Sequence, residues 1–445
     1  MQGENKEYNL ELEIKRISKI FLEKTKDKEI QIISHFDTDG ITSASIMIQT
    51  LKDLDKQFTL KIVKNLEENF IKNLNKNKIT LFLDLGSGSL NYIKNENVFI
   101  IDHHEIIQEI PKNIEIINPE LHEKQKISAS GLTYLFSKEI NPKNKKFAKL
   151  AVLGMVGDCL EKEIEKTSDQ ILNDGDIKRK KGLLIYPSTR PINKTLEYSS
   201  HPYIPEVTGN IKGVLELLRE ANLKPENGKY KNLLELKDEE MKKLTTSIIL
   251  RNPQIKNQNL IGDIFLIKLY NQIEDARELS AKINACSRYG KPELAIQLCL
   301  EIPSAKKRVE SIHSKYKQEL ITALKFAQET KKIQGDKFVI INTKENIKDT
   351  MIGTVASILS NSSIYEEETI IITMAYYNNK IKISARNTGR KGRNVREVLN
   401  RVVTIVGGDV GGHEFAAGCL ISKEKENEFL EILKKNLEVE LIKVN

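Results

Sequence analysis

Over its first 165 residues the chain alternates short apolar runs with longer polar stretches, and this alternation limits the folds open to it. The runs fall at residues 29–34, 60–63, 79–83, 98–101 and 114–117, each the length of a buried strand. Residues 41–55 and 128–139 carry helix-permissive sequence between them. Strands apolar on both faces and separated by helices predict a parallel sheet with helical crossovers. Ligands of such sheets gather beyond the carboxyl ends of the strands, so chemistry is expected in the residues that follow each run.

A chain of 445 residues exceeds what one hydrophobic core usually holds, and two or three domains are expected. Beyond about residue 163 the pattern changes. A loop containing Pro, Ser and His at residues 186–209 precedes helical patterns at 211–220, 261–284 and 305–329, the last placed to link two lobes. After Gly335 the text predicts a strand at 338–341, a helix at 352–360, and a hairpin of 369–376 with 380–385 that turns at Asn378-Asn379. A small-residue segment at 407–418 then precedes a terminal helix. The expected architecture is α/β: an N-terminal parallel-sheet domain over residues 1–165, a mainly helical insertion and connector over 166–334, and a smaller C-terminal α+β domain over 335–445.

The formal net charge of +8 favours polyanionic partners, though a lysine-rich surface also serves solubility. No apolar stretch approaches the roughly 20 residues that span a bilayer, and the first residues lack the basic start and apolar core of a signal peptide. A cytoplasmic protein without membrane association is expected. Cys159, Cys286, Cys299 and Cys419 form no CxxC pair and read as small core residues rather than zinc ligands.

Four segments at or after candidate strands carry the chemistry. In Ser34-His35-Phe36-Asp37-Thr38-Asp39-Gly40, the side chains of His35, Asp37 and Asp39 share one side if the segment is extended, and Gly40 permits a tight entry into the next helix. Asp84 ends the apolar run at 79–83; a helix cap or turn would account for it if it stood alone. Asp102-His103-His104 follows the run at 98–101, with an aspartate placed to orient an imidazole. Asp158 closes the apolar, glycine-containing Gly154-Met155-Val156-Gly157, where an isolated carboxylate would be costly without a partner. Oxygen and imidazole donors of this kind suit Mn2+, with Mg2+ as the alternative, and their number suffices for two ions.

Together, His35-x-Asp37-x-Asp39-Gly40, Asp84, Asp102-His103-His104 and Asp158 resemble the four motifs of the DHH phosphoesterases, in the family's order. Gly411-Gly412-His413 resembles the motif of the DHHA1-type substrate-binding domain that accompanies them. Arg190-Pro191-Ile192-Asn193-Lys194, Glu197-Tyr198-Ser199 and Asn284-Ala285-Cys286-Ser287-Arg288 are similar to segments of the archaeal RecJ-like single-strand exonucleases, a group that includes GINS-associated nucleases. The motifs span roughly residues 30–160 and 340–420.

The resemblance implies a two-metal phosphodiesterase that releases nucleoside 5′-monophosphates from single-stranded DNA or RNA, in replication or repair. It implies His35, Asp37 and Asp84 around one ion, and Asp39, Asp84, His103 and Asp158 around the other, with Asp84 bridging. Asp102 would orient the histidines and His104 would meet the scissile phosphate. Arg386, Arg390 and Arg393, in a basic glycine-containing loop, together with Gly411, Gly412 and His413, would bind the substrate backbone. Arg190, Lys194 and Arg288 are further substrate-contact candidates, for which salt bridges are an equal explanation. The GINS replication complex and a repair helicase are the implied protein partners. Three other readings stand beside it: a phosphodiesterase of oligonucleotides or small nucleotides, a replication-complex scaffold with weak or no nuclease activity, and an inorganic pyrophosphatase with similar metal ligands, which the long middle region and Gly411-Gly412-His413 disfavour.

Overall fold

The computed structural model describes residues 9–122, 125–200, 202–252, 260–362, 364–389 and 391–438. The chain forms two compact units, each discontinuous in sequence: Met1–Lys181 with Asp263–Ser314, and Gly182–Gly262 with Lys315–Asn445.

The first unit opens with α1 (Leu10–Lys24), β1 (Ile30–His35), α2 (Thr38–Asp53), β2 (Phe58–Val63), α3 (Glu68–Lys72), β3 (Ile79–Leu83), β4 (Val98–Ile101), β5 (Ile114–Ile117), α4 (Ala129–Ile140), α5 (Ala148–Gly157), α6 (Lys166–Asp174) and β6 (Lys178–Leu183). The first five strands form one parallel sheet in the order β2-β1-β3-β4-β5. Alternation within the strands explains why both faces are covered. Ile30, Ile32, Leu81, Phe99 and Ile101 pack with α1, α2, α4 and α5, while Ile33, Phe82, Val98 and Ile100 pack against Ile71, Leu90 and Ile93. The chain order reverses at β1, which has β2 on one side and β3 on the other, so a crevice opens at the carboxyl ends of β1 and β3.

The chain then enters the second unit with α7 (Ile192–Glu197), α8 (Ile211–Glu220) and α9 (Asp238–Arg251), which bury Leu196, Val214, Leu217, Leu218, Leu244 and Ile248 in one cluster. It returns through β7 (Ile261–Leu269), β8 (Gln272–Asp275), α10 (Ala276–Arg288) and α11 (Pro292–Cys299). β7 lies between β6 and β8, and just outside these strands Leu184 N donates to Leu260 O at 2.8 Å. Ala276, Leu279, Ile283, Leu294 and Leu298 of α10 and α11 join the same core as α2 and α5.

The helix expected over 261–284 is therefore two strands followed by a helix. The β-branched and aromatic run Ile264-Phe265-Leu266-Ile267 favours a strand, and Tyr270 and Asn271, both at positive φ, form the two-residue turn that returns it. The 27-residue helix α12 (Pro303–Glu329) begins in the first unit and ends in the second.

The rest of the second unit is β9 (Ile333–Gly335), β10 (Phe338–Asn342), α13 (Asp349–Ser360), β11 (Ile370–Tyr377), β12 (Lys380–Asn387), α14 (Val395–Val406), β13 (Asp409–His413), β14 (Ala416–Ser422) and α15 (Glu426–Glu438). Its six strands run in the order β13-β14-β12-β11-β10-β9, with the β11–β12 hairpin turning at Asn378-Asn379 as expected. The small-residue segment at 407–418 is β13 and the start of β14, and the amphipathic α14, absent from the expected pattern, buries Val395, Val398, Leu399, Val402 and Val403 on the sheet. The fold is thus α/β, with an N-terminal parallel sheet, a helical middle region and a C-terminal sheet domain. Three cysteines are buried; Cys159 is exposed, because the chain turns there through a left-handed conformation (φ +58°) just past α5. Among the described residues no helix is long and apolar enough to cross a membrane.

Candidate metal centre

The ends of β1, β3 and β4 and of α5 bring five carboxylates and three imidazoles together. β1 stops at His35, and Asp37 caps α2, its Oδ1 accepting from Gly40 N at 3.1 Å. Asp39 then lies in the first turn of α2, so the motif is not the continuous extended segment expected: the strand ends and the helix begins within it. A Cβ on Gly40 would lie 2.4 Å from His35 O, which is why the turn requires glycine. Asp84, at the end of β3, adopts φ +58°, a left-handed conformation that aspartate tolerates better than most side chains.

Two neighbouring clusters result. His35 Nδ1 lies 3.0 Å from Asp37 Oδ2 and 3.2 Å from Asp84 Oδ2. His103 Nε2 lies 3.2 Å from Asp158 Oδ2, 3.5 Å from Asp84 Oδ1 and 3.9 Å from Asp39 Oδ2. His35, Asp37 and Asp84 thus form one potential ligand set and Asp39, His103 and Asp158 another, with Asp84 also grouped with His103 and His104.

The electrostatics of this crowding fit a divalent cation. Asp39 and Asp84 are almost fully buried, and Asp84 Oδ1 accepts no hydrogen bond. Burial and then the charge of Asp39 hold the Asp84 carboxyl well above the usual carboxylate range; the same burial, with Asp39 and Asp84, pushes Asp158 up to about 9. Burial opposes a charge on His35, but Asp37 and Asp84 outweigh it and raise the imidazole to about 10. Positive charge at the centre would satisfy the unpartnered oxygen and relieve the mutual repulsion of the carboxylates.

Residues without an obvious motif fix these groups. Asp39 Oδ2 accepts from Ala129 N at 2.7 Å and Oδ1 from Ser130 N at 3.0 Å, both at the start of α4. Ser128 as the cap of α4 was the one signal of this in the text. Gly154 leaves the room: a Cβ there would lie 2.3 Å from Asp39 Oδ1 and 2.0 Å from Ser130 Oγ. From the middle segment, Ser280 on α10 meets Thr38 Oγ1 at 3.0 Å.

Asp102 is fully buried and accepts from Ser87 N, His103 N and, at 2.7 Å, His104 Nδ1. Although burial works against ionisation, the bond and charge of His104 and the Ser87 N–H lower Asp102 to about 2, and Asp102 in turn raises His104. His104 is left with Nε2 free to face a ligand from a half-exposed ring. Asp102→Asn is expected to release this ring, lowering the His104 pKa in an NMR titration and turnover by roughly 10- to 100-fold. An unchanged His104 titration would exclude the orienting role.

The other candidates lie apart in sequence and differ in surroundings. Arg386 stands on β12 rather than in a loop; its guanidinium donates to Ser357 Oγ, Ser384 Oγ, Ala385 O and Ala417 O, all neutral acceptors, and burial lowers its pKa. Arg393 donates to the carbonyls of Asn436 and Leu437 at the end of α15, a capping contact. Arg390 lies outside the described residues. On β13, Gly411 has open space where a Cβ would be, Gly412 has φ +117° with Ala416 O 2.3 Å from a built Cβ, and His413 is exposed. Lys194 pairs with Glu197 at 2.8 Å, Arg190 is exposed at the start of α7, and Arg288 is half-buried at the end of α10.

The parallel sheet with acidic and imidazole groups at its carboxyl end defines a phosphoesterase-type fold. A family model for the DHH family, N-terminal domain, matches residues 29–155, one for the DHH-CID domain matches 185–259, and one for the DHHA1 domain matches 335–439. An uncharacterized protein of Methanocaldococcus jannaschii is 31% identical over 440 residues, covering 94% of this chain and 96% of that one. The chain belongs to the DHH family and carries a C-terminal DHHA1 domain. Its fold is RecJ-like: the structure of exonuclease RecJ bound to manganese superposes with a TM-score of 0.61 at 16% identity, covering 96% of this chain and 95% of that one. CDC45 from Entamoeba histolytica superposes at 0.69 with 12% identity, over 96% and 99% of the two chains.

Proposed function

We propose that the protein is a two-metal-dependent exonuclease that hydrolyses single-stranded nucleic acid to nucleoside 5′-monophosphates. The observation that carries this reading is the pair of ligand sets that meet at Asp84, whose buried Oδ1 has no hydrogen-bond partner. His35, Asp37 and Asp84 would hold one ion, and Asp39, Asp84, His103 and Asp158 the other, Mn2+ suiting the mixed donors and Mg2+ being the alternative. Two bound cations supply positive charge against the anion that develops during in-line displacement at phosphorus.

The chain's own groups do the rest. Asp84 ties the two sets together, the α4 backbone amides hold Asp39 in one orientation, and Asp102, bonded to His104 Nδ1, would leave Nε2 to meet the phosphate. We assign catalysis to residues 1–165, a connecting role to 166–334, and substrate-backbone binding to 335–445. In the last segment Arg386, bonded to neutral acceptors, is suited to a phosphate, as are the backbone at Gly411 and Gly412 and the imidazole of His413.

The likeness to the exonuclease RecJ, whose structure is bound to manganese, supports this reading. Against it stands the replication-complex scaffold, with GINS or a repair helicase as partner, for which the likeness to CDC45 speaks. The complete set of ligating side chains favours catalysis.

Matched single-stranded DNA and RNA, labelled separately at each end and incubated with the protein and Mn2+, test the proposal. Labelled mononucleotide should appear at once from one end only. No polymer cleavage in spite of measured Mn2+ binding would shift the function to small nucleotides or to the scaffold.

A further inference from the structure

The sheet of the first unit ends on β2, and this edge strand is lined by two cation–aromatic pairs. Lys64 Nζ, one residue past the strand, lies 5.8 Å from the centre of the Phe36 ring, and Lys61 Nζ lies 4.6 Å from the centre of Phe70 on α3. Both lysines are exposed and both rings are half-buried. Among the described residues neither ammonium is within ion-pair distance of a carboxylate, although the centre beside them is rich in carboxylates.

Register places this strip against the candidate metal centre. Val63 pairs with His35 and Lys61 with Ile33, so Lys64 stands level with the turn that carries Phe36. Phe36 itself lies between two potential ligands, its ring 5.0 Å from that of His35. Lys61 lies within β2 and Lys64 just past its end, where the strand gives way to the turn before α3. An edge lysine by itself protects a strand from unwanted pairing. That role does not require a half-exposed aromatic ring beside each ammonium, nor one set between His35 and Asp37.

Alternation of cations with aromatic faces is the means by which proteins hold single-stranded nucleic acid: the cations take phosphates and the rings take bases. We propose that the edge of β2 is a single-strand track, on which Phe36 and Phe70 stack two bases next to the reacting phosphate while Lys64 and Lys61 hold flanking phosphates. The proposal rests on the exonuclease reading and adds to it that the enzyme recognises the bases of its substrate, independent of their identity.

Kinetics with the full-length protein in Mn2+ test the track. The substrates are an oligodeoxythymidylate and a matched strand with abasic residues at the two positions nearest the digested end. Native protein should prefer the intact strand by about 5- to 100-fold in kcat/KM. Phe36→Leu with Phe70→Leu should lose most of that preference while Mn2+ binding by calorimetry is retained. Lys61→Gln with Lys64→Gln should make the salt dependence of KM shallower by about 1.4 in log–log slope, the value for two phosphate contacts on a single strand.

Two results would overturn the track: equal losses on intact and abasic strands in the phenylalanine variant, or an unchanged salt slope in the lysine variant. Absence of hydrolysis by the native protein would be a different failure, removing the exonuclease reading and the track with it.

Discussion

Asp84→Asn should lower turnover on the order of 10³-fold and abolish binding of at least one of two Mn2+ ions. The size follows from position: Asp84 groups with His35 and Asp37 on one side and with His103 and His104 on the other, and charge stabilisation by a metal is worth several kcal/mol, of which about 4 corresponds to that factor. Asparagine preserves the volume at the end of β3 and removes one negative charge. In metal-free protein the same substitution should not destabilise the fold, because the buried carboxyl it replaces is already disfavoured as an anion by burial and by Asp39. Opposite effects on turnover and on metal-free stability mark a residue kept for chemistry rather than folding. Near-native activity with two ions bound, measured by calorimetry and kinetics together, would defeat the bridging role.

With metal removed by a chelator, stability should fall as pH rises from about 5.5 to about 8, and added Mn2+ should restore more of it at the higher pH. Burial beside Asp39 and Asp84 pushes Asp158 up to about 9 in the folded chain, from its ordinary value when unfolded, and Asp84 is displaced in the same direction. The folded state therefore binds protons that the unfolded state has lost, and that stability disappears as pH climbs toward the folded value. His35, raised to about 10, adds to the same slope above its unfolded value near 6.5. Asp102, lowered to about 2, loses its contribution only in acid, below this window.

Metal must displace the protons on Asp84 and Asp158, so binding should release them, which calorimetry in buffers of different ionisation heat detects. At a free concentration one hundred times Kd, each ion should add about 2.7 kcal/mol of stability. A metal-induced shift in Tm that is the same across the window would refute this coupling.

The parallel sheet of the first unit was legible because its strands are short, apolar and followed by the reactive side chains themselves. Three of the five strands begin and end where the apolar runs do, and the grouping of His35, Asp37, Asp84, His103 and Asp158 follows from a sheet that aligns strand ends distant in sequence. Contacts made by the backbone were not legible. The Ala129 and Ser130 amides that hold Asp39 carry no side-chain signature, and the span from Ile261 to Asn284 hides a two-residue turn in an apolar run whose spacing also suits a helix. The contact of Arg393 with the carbonyls at the end of α15 is of the same kind, since no side-chain pattern announces a backbone acceptor.

That the first unit closes only when Asp263–Ser314 rejoins it governs how the protein is made. During synthesis the sheet, α2 and α5 emerge first, but the surface that α10 and α11 cover stays open until the ribosome has delivered residues up to Cys299. The intervening segment, by contrast, has its own apolar cluster and ends that meet at Leu184 and Leu260, so it can fold while the unit around it is still waiting. A polypeptide released at residue 165 would present the exposed flanks of α2 and α5 to other chains, and aggregation rather than a small active domain is its expected fate. On the proposed reading, the candidate metal ligands between His35 and Asp158 would thus wait for a late stage of translation before the core beneath them is complete.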